Sequence, residues 1–103
     1  MVVADALGQE VRFLEGEGPK LNPLTSSMDL KILNPLKTKE KFSYVCETVS
    51  RLRQDLPQDT ALIGFCGAPW TVASYMVAGG GSADQAETRK FAYRDPKTFQ
   101  ILM

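Results

Sequence analysis

The clearest period along the chain lies between about Thr38 and Leu56, where Phe42, Val45, Val49, Leu52 and Leu56 recur at intervals of three or four. That spacing places the apolar side chains on one stripe of a helix, with Glu40, Lys41, Glu47, Arg51 and Gln54 mainly elsewhere around it. Pro57 closes the helix, and Asp59 and Thr60 mark a turn. Ala61-Leu62-Ile63-Gly64-Phe65-Cys66 then forms an unbroken apolar run. It is too short for a free-standing helix and fits a strand buried on both faces of a parallel sheet. Helix, turn and buried strand make half of a βαβ unit.

On either side the pattern is less regular. Met1-Val2-Val3-Ala4 is apolar with no polar lead-in, which suits the end of a buried strand, and Asp5 to Gln9 reads as a loop. Val11 and Phe13 belong to a short strand-like piece stopped by Glu15-Gly16-Glu17-Gly18-Pro19. Lys20 to Pro35 reads as a long surface connection, interrupted by Pro23 and the polar Thr25-Ser26-Ser27. After the buried strand, Pro69 suits the first turn of a new helix running through Thr71, Ala73, Tyr75 and Met76 and ending before Gly79-Gly80-Gly81. Ser82 and Gln85 have capping-box spacing, which predicts a further helix from there towards Tyr93. Asp95-Pro96 is an N-cap followed by proline at the first helical position. Phe99 and Leu102 open a last helical pattern that stops at Met103 without a cap.

Composition narrows the chemistry. The 103 residues carry twelve Lys+Arg against twelve Asp+Glu, so no broad charge footprint points to nucleic acid or an anionic membrane. There is no histidine, so a Ser/His/Asp triad, a Cys/His dyad or a His-based zinc site cannot be assembled within this chain alone. Cys46 and Cys66 lack CxxC spacing and read as reduced thiols. No apolar run approaches the ~20 residues that span a bilayer, and no export signal is visible, so a cytoplasmic protein is expected. The three glycines follow one helix and precede another, without the spacing of a phosphate loop, and read as a helix-to-helix connection.

The more promising segment is Gly64-Phe65-Cys66-Gly67-Ala68-Pro69-Trp70. In α/β folds, ligands sit outside the carboxyl ends of parallel strands, and Gly67 would let the backbone turn sharply there. Phe65 could wall a site, although an apolar aromatic near a strand end is more often core, and Tyr75 offers an aromatic body with a phenolic donor. Trp70 reads as packing. Lys37-Thr38-Lys39-Glu40-Lys41 reads as a solvated helix start. Asp5 is the one carboxylate whose position could face a site, although a turn role fits it better.

These residues also carry a resemblance. Leu62 to Thr71, with its G-F-x-G-A-P-W-T pattern, then Tyr75-Met76 and Gly79-Gly80-Gly81-Ser82, closely resembles the uroporphyrinogen decarboxylase family. Val2-Val3-Ala4-Asp5-Ala6-Leu7-Gly8, Glu15 to Pro19 and Tyr93-Arg94-Asp95-Pro96 resemble it in the same order. Pro23 to Lys41 is the least distinctive stretch. The resemblance implies an α/β fold that is part of a (β/α)8 TIM barrel, with about two barrel strands, their helices and a short hairpin piece. It implies that residues 1–103 are a central fragment of one decarboxylase domain, truncated at both ends and associating with itself or another chain.

The activity so implied is the removal of carboxyl groups from the four acetate side chains of uroporphyrinogen III, giving coproporphyrinogen III on the way to haem and chlorophyll. No metal or organic cofactor is expected; the partners expected are the tetrapyrrole substrate and a second copy, with no nucleic acid and no membrane. Tyr75 matches the family tyrosine that hydrogen-bonds near a substrate carboxylate, and Phe65 matches an aromatic residue lining the cleft. The family's key aspartate, its arginines, serine and histidine match no position in this chain, so no catalytic residue is expected within it and the fragment alone should be inactive. Cys66 stands where other members often carry alanine. Two alternatives stay open on the residues: a related barrel that transfers methyl groups to or from a corrinoid or thiol, and a small non-enzymatic α/β interaction domain.

Overall fold

Residues 1–103, all described by the computed structural model, begin with a helix where the apolar pattern predicts the end of a strand. Val2–Leu7 (α1) buries Ala4 and Ala6, and Asp5 lies within it rather than in a loop. The reason is hydrogen bonding. An interior strand needs a neighbour on each side, whereas a helix satisfies its own backbone. No parallel strand is present, and the one sheet is a two-stranded antiparallel pair. Gly8 ends α1 at φ 108, a left-handed conformation that favours glycine. Its N–H donates to the Asp5 carbonyl at 2.9 Å, and the N–H of Gln9 donates to Ala4 at 3.0 Å, which closes the helix as a Schellman motif.

Val11–Leu14 (β1) pairs with Gly18–Leu21 (β2), with Val11 opposite Leu21 and Leu14 opposite Gly18. A lone hairpin is marginal in water. This one is anchored where β2 ends: the Leu21 N–H donates to the Gly79 carbonyl at 2.9 Å, and the Leu21 side chain is buried. The connection that follows is irregular, as expected, with 3-10 turns at Asp29–Ile32 and Pro35–Lys37. It is more than a surface link, because Leu24 is 1% exposed and enters the core.

The predicted helix from Thr38 to Leu56 is present in two parts, Thr38–Lys41 (α2) and Ser43–Asp55 (α3). Phe42 interrupts it, and its carbonyl is shared by the N–H groups of Val45 and Cys46 at 3.0 and 3.1 Å. No residue of α3 is buried. Val49 and Leu52, which the stripe predicts to face a core, are exposed. The expected buried strand Ala61–Cys66 carries no strand pairing, and Ile63 and Phe65 are 86% and 99% exposed. The segment has the right side chains but no flanking strand to bond with.

From Pro69 onward two of the three helices follow their predicted caps. Pro69–Ala78 (α4) has proline in its first turn and Gly79 in the left-handed region at its end, at φ 76. Ala86–Arg94 (α5) starts later than the Ser82 signal implies. The Ser82 hydroxyl instead accepts from the Gln85 N–H at 3.2 Å, and Asp84 accepts from the Ala86 N–H at 3.1 Å. Pro96–Leu102 (α6) is capped by Asp95, whose carboxylate accepts from the Thr98 N–H at 3.1 Å.

α4 joins two small apolar clusters. Met76 packs with Ala4, Leu21 and Leu24, while the adjacent Val77 packs with Phe91 and Phe99. Fourteen of 103 residues are buried, and the radius of gyration is 15.9 Å, against about 13 Å for a compact domain of this length. The architecture is therefore a set of helices and one hairpin gathered on α4, with α3 and the 61–66 segment standing away from the core.

Candidate functional site

The groove that gathers the candidate residues is built on α4. Ala68 is extended, Pro69 begins the helix, and Val72, one turn on, donates its N–H to the Ala68 carbonyl at 3.0 Å. This presents Thr71, Val72 and Tyr75 on one side of α4. They line a groove of about 640 Å³ together with Phe65, Cys66 and Gly67, the start of α1, Pro19 of β2, and Phe42 and Val45 at the α2–α3 junction.

Phe65 and Tyr75 thus come together on one groove. Phe65 stands almost free of other contacts, while Tyr75 is half-buried and packs against the Met76 cluster. The Tyr75 hydroxyl lies against Gly81, where an added Cβ would sit 3.2 Å from its oxygen. At Gly67 an added Cβ would meet the Val72 side chain at 3.2 Å. Gly67 therefore allows close approach of the loop to α4, a packing role where the sequence points to a sharp turn.

The groove is apolar, and no charged side chain lines it. Its side-chain polar groups are the hydroxyls of Tyr75 and Thr71 and the Cys66 thiol. Such a surface can bind a hydrophobic body and donate hydrogen bonds to a polar substituent. It holds no carboxylate, imidazole or guanidinium to exchange a proton at neutral pH or to neutralise an anion.

The other candidates fall outside it. Asp5 is exposed on α1, and its involvement in the helix end is through its backbone: its carbonyl accepts from the Gly8 N–H and from Lys41 Nζ at 3.2 Å. Trp70 packs edge-on against Phe99 with ring centres 5.7 Å apart, and its Nε1 donates to Gln85 Oε1 at 2.5 Å. The structural reading of Trp70 holds. Gly79 to Gly81 connect α4 to α5. Cys46 and Cys66 are free thiols, no three Cys, Asp or Glu side chains cluster closely enough to hold a metal ion, and no helix is long and apolar enough to cross a membrane.

One residue beside the groove escapes the sequence pattern. Gln9 is fully buried, and its Nε2 donates to the Asn22 carbonyl at 2.6 Å and the Met76 carbonyl at 3.0 Å. Its signal becomes visible only once α1 is known to be a helix, because the Schellman closure at Gly8 fixes where the next residue must go.

Comparison with known proteins agrees with the motifs. A family model described as uroporphyrinogen decarboxylase (URO-D) matches residues 1–103. Among curated relatives, proteins called uroporphyrinogen decarboxylase from Mesorhizobium japonicum, Sinorhizobium fredii and Chelativorans sp. are 53%, 51% and 50% identical to it. Each match covers 100% of this chain and 30% of the relative. The chain thus spans about 30% of the length of the curated relatives it matches.

Proposed function

The chain belongs to the uroporphyrinogen decarboxylase family, and on that premise we propose that it supplies one wall of the substrate cleft in a cofactor-independent decarboxylase acting on uroporphyrinogen III. The reading extends to its surroundings: these residues form a central part of a (β/α)8 barrel, in which Ala61–Cys66 becomes a strand when neighbours flank it, in a cytoplasmic homo-oligomer.

The reaction needs no redox partner. A pyrrole ring of the substrate takes up a proton at carbon and becomes an electron sink. The electron pair of the bond to the acetate carboxyl flows into the ring as CO2 leaves. A proton then adds at the former acetate carbon to give a methyl group, and the ring gives up a proton. Four repeats convert four acetates to methyls. The protein must hold a polyanion, favour the protonated pyrrole, and surround the departing carboxylate with a medium in which losing charge is favourable.

This chain's residues suit the last of these tasks. Phe65 and the apolar floor of the groove provide a face for the macrocycle, and Tyr75 donates a hydrogen bond to a substrate carboxylate. The observation that carries the proposal is the groove itself, apolar and free of charged side chains, with Phe65 and Tyr75 on it. Groups that neutralise the other carboxylates or face the pyrrole nitrogens must come from outside these residues.

The test grafts residues 1–103 in place of the matching stretch of the Mesorhizobium japonicum relative, 53% identical over 103 residues. The folded graft should turn over uroporphyrinogen, while the isolated chain should not. Tyr75→Phe in the graft should lower kcat/KM about tenfold or more, as expected for loss of one hydrogen bond to a charged group. Turnover by the isolated chain, or a folded graft without activity, would overturn the proposal; unchanged kinetics in Tyr75→Phe would remove Tyr75 from the site.

A further inference from the structure

We propose that Gln9 is a positioning residue for Tyr75: its buried amide grips the last turn of α4 and sets where the tyrosine hydroxyl stands in the groove. The inference rests on the reading of Tyr75 as a substrate-binding group.

Three observations carry it. First, Gln9 is held rigidly at its base, because its backbone N–H completes the Schellman closure of α1 by donating to Ala4 at 3.0 Å. Second, both amide protons are committed, one to the carbonyl of Asn22 just past β2 and one to that of Met76. Met76 follows Tyr75 directly, and its carbonyl belongs to the last turn of α4, where the helix offers no partner of its own. One side chain therefore ties α1, the end of the hairpin and the Tyr75-bearing turn together.

Third, Gln9 Oε1 is buried with no hydrogen-bond partner. A buried acceptor without a partner is a standing penalty, and an apolar side chain of the same length would remove it. Replacement would not orphan Met76 either, since its carbonyl also accepts from the Leu24 N–H at 3.0 Å. The two hydrogen bonds lost, at about 1 kcal/mol each, roughly offset the penalty removed, so stability alone gives little reason for an amide here. The direction it imposes on the end of α4 does, because Tyr75 is carried on that turn and its hydroxyl, beside Gly81, moves with the helix. Small displacements of a substrate-orienting group are costly in rate.

The experiment is a double-mutant cycle on uroporphyrinogen turnover in the grafted full-length enzyme. Gln9→Met should lower kcat/KM about fivefold or more with Tm nearly unchanged, and in a Tyr75→Phe background it should have no further effect. A purely structural residue would impose the same loss in both backgrounds. Equal losses, or no loss from Gln9→Met, overturn the inference while leaving Tyr75 in the site. If Tyr75→Phe itself changes nothing, the reading of Tyr75 fails and this inference falls with it. Gln9→Asn, which keeps an amide on a shorter stem, carries the same cycle if the Met variant does not fold. Failure of both to fold assigns Gln9 to stability and also overturns the proposal.

Discussion

Replacing Gly79 with alanine tests the way α4 is docked to the hairpin. Gly79 sits at φ 76, and a Cβ there would lie 2.7 Å from the Leu21 carbonyl oxygen and 2.9 Å from Pro23 Cγ. The left-handed conformation costs an L-residue about 1–2 kcal/mol. Forcing a methyl into filled space adds about 1–3 kcal/mol. The backbone cannot simply draw back, because the Gly79 carbonyl accepts the Leu21 N–H at 2.9 Å. A loss of about 3 kcal/mol follows. For a chain of a few hundred residues, at about 2.1 cal/mol/K of unfolding entropy per residue, that is a Tm decrease of roughly 4 °C, measurable by circular dichroism on the grafted enzyme. Gly80→Ala is the internal control: its φ is not in the left-handed region, and its nearest neighbours would lie at 3.7 Å. It should stay within about 0.5 kcal/mol of the parent. Equal Tm shifts for Gly79→Ala and Gly80→Ala would refute the reasoning. Gly79→Asn separates the two terms, since asparagine tolerates the conformation but still carries the clashing Cβ. Its Tm should remain well below that of the parent.

The other predictions concern charge and packing. Asp29 Oδ2 accepts hydrogen bonds from the Thr25 N–H at 2.7 Å and the Ser26 hydroxyl at 3.1 Å, among others, and these hold its carboxyl below the usual carboxylate range. A depressed pKa stabilises the fold above the unfolded value of about 3.9 and loses that contribution as pH falls through the folded value. The Tm gap between the parent and Asp29→Asn should therefore be open at pH 6 and narrow towards pH 3; a gap that does not change with pH would contradict this. Trp70→Phe should keep edge contact with Phe99, lose the bond to Gln85 and cost about 1 kcal/mol in Tm-derived stability. Its kcat/KM should equal that of the parent, and a large kinetic loss would return Trp70 to the site.

Signals written in adjacent residues were legible from the sequence. Pro69, Gly79 and Asp95-Pro96 mark helix ends through chemistry confined to one turn, and each stands at a helix end in the structure. What depends on distant partners was not. The apolar run at 61–66 and the stripe on α3 report what those segments would bury, and the structure offers nothing to bury it against. Residues 1–4 found a helix instead, the conformation that needs no neighbour. Leu21 and Leu24 are single apolar residues among prolines and polar groups, so periodicity gave no hint of their burial. At the candidate site, the motif that Phe65 and Tyr75 share points to both, and both line the groove. Gln9 was not legible, because a polar residue after a glycine reads as solvent-facing until the helix before it is recognised.

The uncovered stretch around Ile63 and Phe65 has a practical consequence. Apolar, unpaired backbone is a template for other chains, and six neutral residues without proline make a segment prone to stacking in cross-β assemblies. Preparations of the isolated polypeptide will lose material to aggregation in a concentration-dependent way. A charged residue at position 63 will slow that loss without touching the packed helices.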